Sequence, residues 1–519
     1  MTCVALFMAP LDATIVNVSL PAMAASLRLN YATLIWVPTA YLVSFTVLPL
    51  TMGRLSDMRG RKPVFIFGVT VFALSSLLCS TSVSGVELVA FRALQGAGAG
   101  SIAAVSAAIV SDVFPRNERG KALGINAMTI YIGLTAGPSV GGFLTYTVGW
   151  RSIFYVNVPI GLSIAVLAAL KMKESSSKSS GQQARQRSQR FDLAGVLTFS
   201  LALVSLLVAL TLAGVFGWTS PGIVTMFLVA VVSFSVFLLV ETRRSANSRR
   251  ASKEQGSGMG DGGRDGGGSL GSGGGRGQVE PMLDVSLFTH NRLFAAGNFS
   301  ALLNYLSYYC VSFLSAFYLQ RVIGFNSLQA GLVLLAMPAT MAVLSPVSGW
   351  LSDRIGSRTL ASLGMVLITA GLLLMSTLGP VSVSSSPHSA VTATTEEITL
   401  YLFVIGLGMG MFSAPNTSAV IGSVDPSRTG VASGTLSTMR YMGQSLSLAM
   451  MGAILASVAS NAVVSAFFVG TSTGAITGAT VNLFLAGMKE ALLVGAVIAA
   501  VGVFTSLVRG AKKPDGVSA

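Results

Sequence analysis

Charge is what this chain has least of. Of its 519 residues only 10% are Asp, Glu, Lys or Arg, while 52% are hydrophobic and the mean hydropathy is +0.72. A soluble chain of that length needs far more charged surface, so the composition excludes an ordinary globular enzyme and implies a polytopic membrane protein. Histidine is almost missing. The two present, His290 and His388, lie at or beyond the ends of apolar runs, which excludes an imidazole proton relay through the interior. Cys3, Cys79 and Cys310 are scattered through apolar stretches with neither a disulfide framework nor metal-ligand spacing, and they read as small hydrophobes. No GxxxxGKS or GxxxxGKT loop occurs, so ATP binding has no support. With no nucleophile–base pair or metal constellation visible, the chain is not expected to be an enzyme or to need a cofactor.

What is there is a succession of apolar runs of about 20 residues, enough to cross a ~30 Å hydrocarbon core as helix. Fourteen are expected, at 2–26, 31–52, 63–82, 87–111, 121–145, 151–171, 192–213, 221–241, 293–320, 328–351, 358–378, 398–420, 430–458 and 487–508. The first lacks a basic leading segment and is too long for a cleaved signal peptide.

The formal charge of +14 raises nucleic acid as a partner, and placement decides against it. With the amino terminus inside, 27 of the 33 Lys and Arg fall on the inner side. This is the positive-inside asymmetry of membrane loops. Both termini are therefore expected in the cytoplasm. Arg28, Arg151, Arg321 and Lys489 fall outside, and Arg92 and Arg440 lie within spans.

One charged, glycine-studded stretch is written twice. "GRLSDMRGRKPVFIFG" starts at Gly53 and "GWLSDRIGSRTLASLG" at Gly349; Gly53, Leu55, Ser56, Asp57, Gly60 and Gly68 recur 296 positions later, and Lys62 recurs as Arg358. Each copy joins two consecutive spans on the same side, the mark of a transporter built from internal repeats. The expected organisation is a six-helix bundle over 1–171, a basic linker over 172–190, two inserted helices within 191–241, a linker over 242–290, a second six-helix bundle over 291–510 and a tail over 511–519. In the second linker 13 of the 22 residues from Gly256 are glycine, which predicts flexible coil across 242–281.

These elements resemble the major facilitator superfamily, and within it the fourteen-span drug:proton antiporters. "GRLSDMRGRK" resembles the superfamily's second-to-third-helix signature, and "FRALQGAGAG" the fourth-helix pattern that carries an intramembrane arginine, here Arg92. "GLTAGPSVGG" in span 5 resembles the GxxxGPxxGG element of antiporters. "LDATIVNVSLP" and "WRSIFYVNVPIG" look like signatures of the drug-exporting branch. Ser19 and Ser152 depart from it, standing where Ala and Trp are more usual. The resemblance covers nearly the whole chain and implies an all-α fold of two pseudo-symmetric six-helix bundles plus two extra helices.

The residues themselves say what each element needs. Gly60, and Gly356 in the second copy, permit a backbone that a Cβ obstructs. Asp57, and Asp353 in the second copy, can accept from the next helix's first N–H groups. Arg61, Lys62 and Arg358 can pair with carboxylates that exchange as the halves rock, which makes the turn a latch or, failing that, a topological anchor. Gly133, Gly137 and Gly141 form one stripe for close helix contact, while Pro138 frees a carbonyl and softens the helix. With Gly142, the resemblance makes this a helix at the moving interface.

Asp12 lies ten residues into span 1, about 15 Å deep, where a charge is costly and by default functional. Arg92 is its expected partner, with Gln95 a turn away. A carboxylate whose cation can be drawn off holds or releases its proton by conformation, so this pair is the expected proton-coupling site. The alternative is a static pair bracing two helices. Asn17, Asn304, Trp36, Tyr305 and Tyr308 are cavity candidates, although packing explains each as well. Arg440 either biases substrate charge or braces the fold.

The expected activity is proton-driven export of amphipathic or drug-like compounds by a monomer, with protons and lipid as the other partners. A dedicated exporter of one metabolite such as an amino acid, siderophore or peptide, a non-transporting sensor and a passive channel are the competing readings.

Overall fold

The computed structural model describes residues 1–113, 119–172, 193–257, 285–379, 387–424, 429–458 and 478–508. These are helical throughout, with no strand among the described residues. The amino-terminal lobe holds α1 (Thr2–Leu27), α2 (Tyr31–Arg59), α3 (Arg61–Thr81), α4 (Gly85–Val113), α5 (Arg119–Thr147), a short α6 (Ser152–Tyr155) and α7 (Asn157–Lys171). Next come α8 (Leu193–Phe216), α9 (Pro221–Ser257) and a short α10 (Val285–His290). The carboxy-terminal lobe holds α11 (Arg292–Tyr308), α12 (Cys310–Phe317), α13 (Ser327–Leu334), α14 (Ala336–Ile355), α15 (Ser357–Met375), α16 (Pro387–Gly422), α17 (Thr429–Val458) and α18 (Gly478–Leu507). A π-helical turn over Tyr318–Val322 extends α12.

Twelve helical segments among the described residues are long and apolar enough to cross a membrane. The other two expected spans, 121–145 and 192–213, fall on helices α5 and α8, of 29 and 24 residues, and are not among the twelve; in α8 the apolar stretch is Ala194–Leu210. Polar side chains set several helix starts. Asn30 accepts from Thr33 N at 2.8 Å to open α2, and Asn326 and Gln329 form a reciprocal capping box at α13.

The two lobes repeat one packing scheme. In the first, α2 and α3 pack on α4, α1 on α5, and α3 on α7; in the second, α14 and α15 pack on α16, α11 on α17, and α15 on α18. The lobes meet along α2 with α17 and along α5 with α13 and α14, and α8 lies against both α2 and α17 at the first seam. Val43, Phe199, Leu203, Leu207, Phe237 and Ala449 form the apolar cluster that seats the inserted pair there.

The last glycine of the doubled stretch has a packing reason. A Cβ on Gly68 would stand 2.8 Å from Ser101 Cβ and 3.1 Å from Gly98 O, and one on Gly364 would stand 2.6 Å from Gly408 O. The third helix of each lobe thus crosses the fourth backbone to backbone.

One expectation needs correction. Coil was expected from residue 242, but α9 continues to Ser257. The stretch "ETRRSANSRRASKEQ" holds neither Gly nor Pro and is rich in Arg, Ala, Lys, Glu and Gln, so helix propensity carries on until the glycines begin at Gly256. The rest of that linker, through 284, lies outside the described residues, as do 173–190 of the first linker and the tail.

Candidate functional site

Five helices of the first lobe converge on Asp12. Its Oδ2 accepts from Arg92 Nη1, and the two side chains are buried. Its Oδ1 accepts from Gln95 Nε2 at 2.9 Å and from Asn157 Nδ2 at 2.8 Å. The second Gln95 N–H goes to Ser76 Oγ at 2.7 Å, and Gln95 Oε1 accepts from Arg92 Nη1 at 2.6 Å. Arg92 Nε donates to Val37 O at 3.3 Å. The guanidinium lies 4.3 Å from the Tyr41 ring centre, and the Tyr41 hydroxyl donates to Ala9 O at 3.0 Å.

The ion pair is thus held by amides and aromatic faces, which satisfy a charge buried from water at least conformational expense. One atom stands out. Asn157 Oδ1 is buried with no hydrogen-bond partner. Asn157 is the first residue of α7, the backbone running on in helical geometry through Val156, and its amide reaches Asp12.

Sequence reasoning paired Asp12, Arg92 and Gln95 and missed Asn157, although "FYVNVPIG" held it. An asparagine in an apolar run has too many ordinary explanations to be singled out. Asn17 is buried five residues further along α1, about 140° round the helix from Asp12, and is not part of this group. Trp36 is half-buried beside Val37 on α2.

The doubled turns match in backbone. Gly60 has φ 95° and ψ 155°, Gly356 has φ 88° and ψ 144°, and the N–H of each donates to the carbonyl of Ser56 or Ser352. That region of backbone space is essentially restricted to glycine. Gly53 and Gly349 carry no such demand; a Cβ at Gly53 would meet nothing within 4 Å and one at Gly349 only Ala414 at 3.6 Å. Lys62 Nζ donates to Ala169 O at 2.9 Å, at the end of α7. Arg61 and Arg358 are half-buried and exposed respectively. The side chains of Asp57 and Asp353 lie outside the described residues.

Helix α5 presents two faces. A Cβ on Gly133 would lie 2.6 Å from Phe7 O, on Gly137 2.8 Å from Thr14 Cβ, and on Gly141 2.8 Å from Ile15 O. The stripe therefore seats α1 inside its own lobe. The cross-lobe contact is made by Gly142, whose Cβ would stand 2.4 Å from Ser327 O, and by Pro138, whose carbonyl abuts Gly331. Nearby, Thr135 Oγ1 donates to Pro338 O at 2.9 Å and Gln320 Nε2 to Val18 O at 3.0 Å. These contacts close the end of the molecule opposite the doubled turns.

In the second lobe the Tyr305 and Tyr308 rings are 5.6 Å apart, and the Arg440 guanidinium lies 6.0 Å from the Tyr305 ring centre. Asn304 turns away from them, its Nδ2 3.0 Å from Met365 Sδ on α15.

Two like helical lobes, closed against each other at one end and carrying a buried ion pair in one of them, are the arrangement of a membrane protein built from internal repeats. Comparison with known proteins gives the family. The profile described as the Major Facilitator Superfamily matches residues 2–203 and 185–448, and the chain belongs to that family. It is 31% identical over 456 residues to Multidrug resistance protein Stp of Mycobacterium tuberculosis, covering 88% of this chain and 75% of the relative. It is 29% identical over 459 residues to Riboflavin transporter RibZ of Clostridioides difficile, covering 88% and 87%. A solved bacterial homologue of the human lysosomal transporter Spinster superposes with a TM-score of 0.63 at 14% identity, covering 98% of this chain and 95% of that one, a likeness of fold alone.

Proposed function

We propose that the chain exports amphipathic, drug-like compounds in exchange for protons, by alternating access across a cell membrane with both termini in the cytoplasm. On this reading the chain has fourteen spans and works as a monomer. Asp12 carries the proton. The observation that supports this is the closed network Asp12–Arg92–Gln95–Asn157, fully buried in one lobe with one acceptor, Asn157 Oδ1, left over. A protonated Asp12 is a donor where the ionised form was acceptor only. A half-turn of the Asn157 amide then offers that spare oxygen to the new O–H, so the site has a partner for each protonation state. Gain or loss of the proton changes the pull on Arg92, which is tied to the backbone of α2 at Val37, and α2 is a seam helix. In this arrangement the seam opposite the doubled turns is shut, and the cycle continues by opening it.

One proton moving down about 100 mV and about one pH unit supplies roughly 2.3 and 1.4 kcal/mol, a several-hundredfold ceiling for a neutral substrate. The drug-like substrate rests on the relatives with multidrug-resistance names. The RibZ relative favours a second reading, a coupled exporter of one metabolite. Substrate-screened efflux in inverted vesicles tests both: several unrelated compounds moved, each arrested by an uncoupler, is the expected result. A single moved compound supports the second reading, and flux indifferent to the uncoupler removes proton coupling.

A further inference from the structure

The molecule carries two arginines inside its spans, and their surroundings differ. Arg92 faces the Asp12 carboxylate, the Gln95 amide oxygen, the Val37 carbonyl and the rings of Tyr41 and Phe154. Arg440, midway along α17, has a hydrogen bond to the Thr417 hydroxyl on α16 and the Tyr305 ring at 6.0 Å. No acidic side chain among the described residues pairs with it. One neutral acceptor therefore serves a five-donor cation. Asn416, the residue before Thr417, is fully buried against α11, its Oδ1 3.7 Å from where a Cβ on Gly297 would stand, and so lies on another face of α16. Arg440 itself is half-buried, so it is neither sealed in the core nor dispersed in lipid. Its neighbour Tyr441 meets Phe45 across the lobe seam, ring centres 3.9 Å apart and planes tilted by 53°, so this stretch of α17 borders the seam between the lobes.

An uncompensated cation at mid-depth is costly. A bound anion relieves that cost: its oxygens accept from the free guanidinium N–H groups, and an attached ring stacks beside Tyr305. A purely structural arginine would need the partners that Arg92 has and Arg440 lacks. From this geometry we infer that Arg440, with Thr417 and Tyr305, is the anion subsite of the transport pathway, and that it selects substrates bearing a carboxylate, sulfonate or phosphate on an aromatic body. The inference rests on the transport reading above and narrows its substrate class. The first lobe's charges cancel internally, which leaves the second lobe's cation to the cargo.

The test uses two dyes on one scaffold, fluorescein as the anion and rhodamine 123 as the cation, with purified full-length protein in zwitterionic-lipid nanodiscs. Binding is measured by equilibrium dialysis against protein-free nanodiscs. The unmodified protein is expected to bind fluorescein more tightly than rhodamine 123. Arg440→Gln should weaken fluorescein at least tenfold and leave rhodamine 123 unchanged or tighter, while Arg440→Lys retains part of the anion preference. Equal loss of both dyes in Arg440→Gln, a cation preference in the unmodified protein, or binding of neither dye overturns the subsite. Nanodiscs with phosphatidylglycerol replacing a third of the lipid separate cargo from lipid headgroup: fluorescein binding that survives supports a cargo site, and binding abolished only where Arg440 is intact assigns the subsite to lipid and overturns the cargo role. Because binding needs no gradient, failure here is separate from failure of proton coupling, which the uncoupler measures.

Discussion

On the proposed reading, replacing Asp12 by Asn removes the proton carrier while keeping nearly its shape. The substituted Oδ1 can still accept from Gln95 and Asn157, both of which now bond Asp12 Oδ1. The oxygen that receives Arg92 Nη1 becomes an NH2 group, so two donors meet and a buried guanidinium loses its counter-charge. Removing one partner of a buried pair costs about 3–5 kcal/mol, enough to lower the thermal midpoint of a chain this long by a few degrees. A second variant, Asp12→Asn with Arg92→Gln, removes both charges and avoids the orphaned cation, so it should recover most of that loss. Neither protein can take up and release a proton at this site.

The coupled ceiling of several hundredfold for a neutral substrate should therefore fall to equality in both variants. Exchange of preloaded substrate, which needs no net proton movement, should persist in the double variant. The assay is uptake into inverted vesicles energised by respiration, with a counterflow control and an uncoupler. Uncoupler-sensitive accumulation of several hundredfold in either variant would refute the assignment of Asp12. Loss of counterflow together with accumulation in the well-folded double variant would show that the pair braces the lobe and nothing more.

Asn157→Ala deletes one charge-assisted bond to Asp12 Oδ1, worth about 1.5–3 kcal/mol, and should slow energised efflux more than counterflow; equal slowing of both removes its role in proton handling. Gly142→Ala places a Cβ 2.4 Å from the Ser327 carbonyl across the seam, so it should hold that end open. A cysteine introduced at Ser327 should then react with an impermeant maleimide several times faster than in the glycine-bearing protein, and an unchanged rate rejects the seam.

Asp12, Arg92 and Gln95 were legible in the sequence because charge in an apolar helix is rare enough to demand a partner, and the positions along their helices put them at similar depth. Asn157 was not legible as a ligand of Asp12, since nothing in an apolar run says which neighbouring helix an asparagine faces. The architecture was visible in the doubled turn, whose glycine at 60 and 356 the backbone angles explain and whose glycine at 68 and 364 the helix crossings explain. The stripe on α5 was visible as a stripe, but spacing alone does not say which neighbour it faces. It faces α1, and the seam falls to Pro138 and Gly142. The coil expected after residue 241 failed for a local reason: polarity was read as disorder where the side chains are good helix formers.

The two lobes share their packing scheme yet divide their charges unequally. Where the first lobe places Asp12 and Arg92 in a self-neutralising cluster, the second has Asn298, Asn304 and Asn416 with unpartnered oxygens, and Arg440 without a carboxylate. A machine that only rocked would gain nothing from that asymmetry. One that must exchange two different passengers needs it, because a proton site must be satisfied in both protonation states and shielded from the cargo, whereas a cargo site must be left incomplete until the cargo arrives. On the proposed reading the Asp12 network of the first lobe is the proton site and Arg440 of the second is the cargo site. Neutralising Arg440 should therefore change which compounds are carried and leave the uncoupler sensitivity of the cationic ones intact, while neutralising Asp12 should abolish uphill transport of every compound.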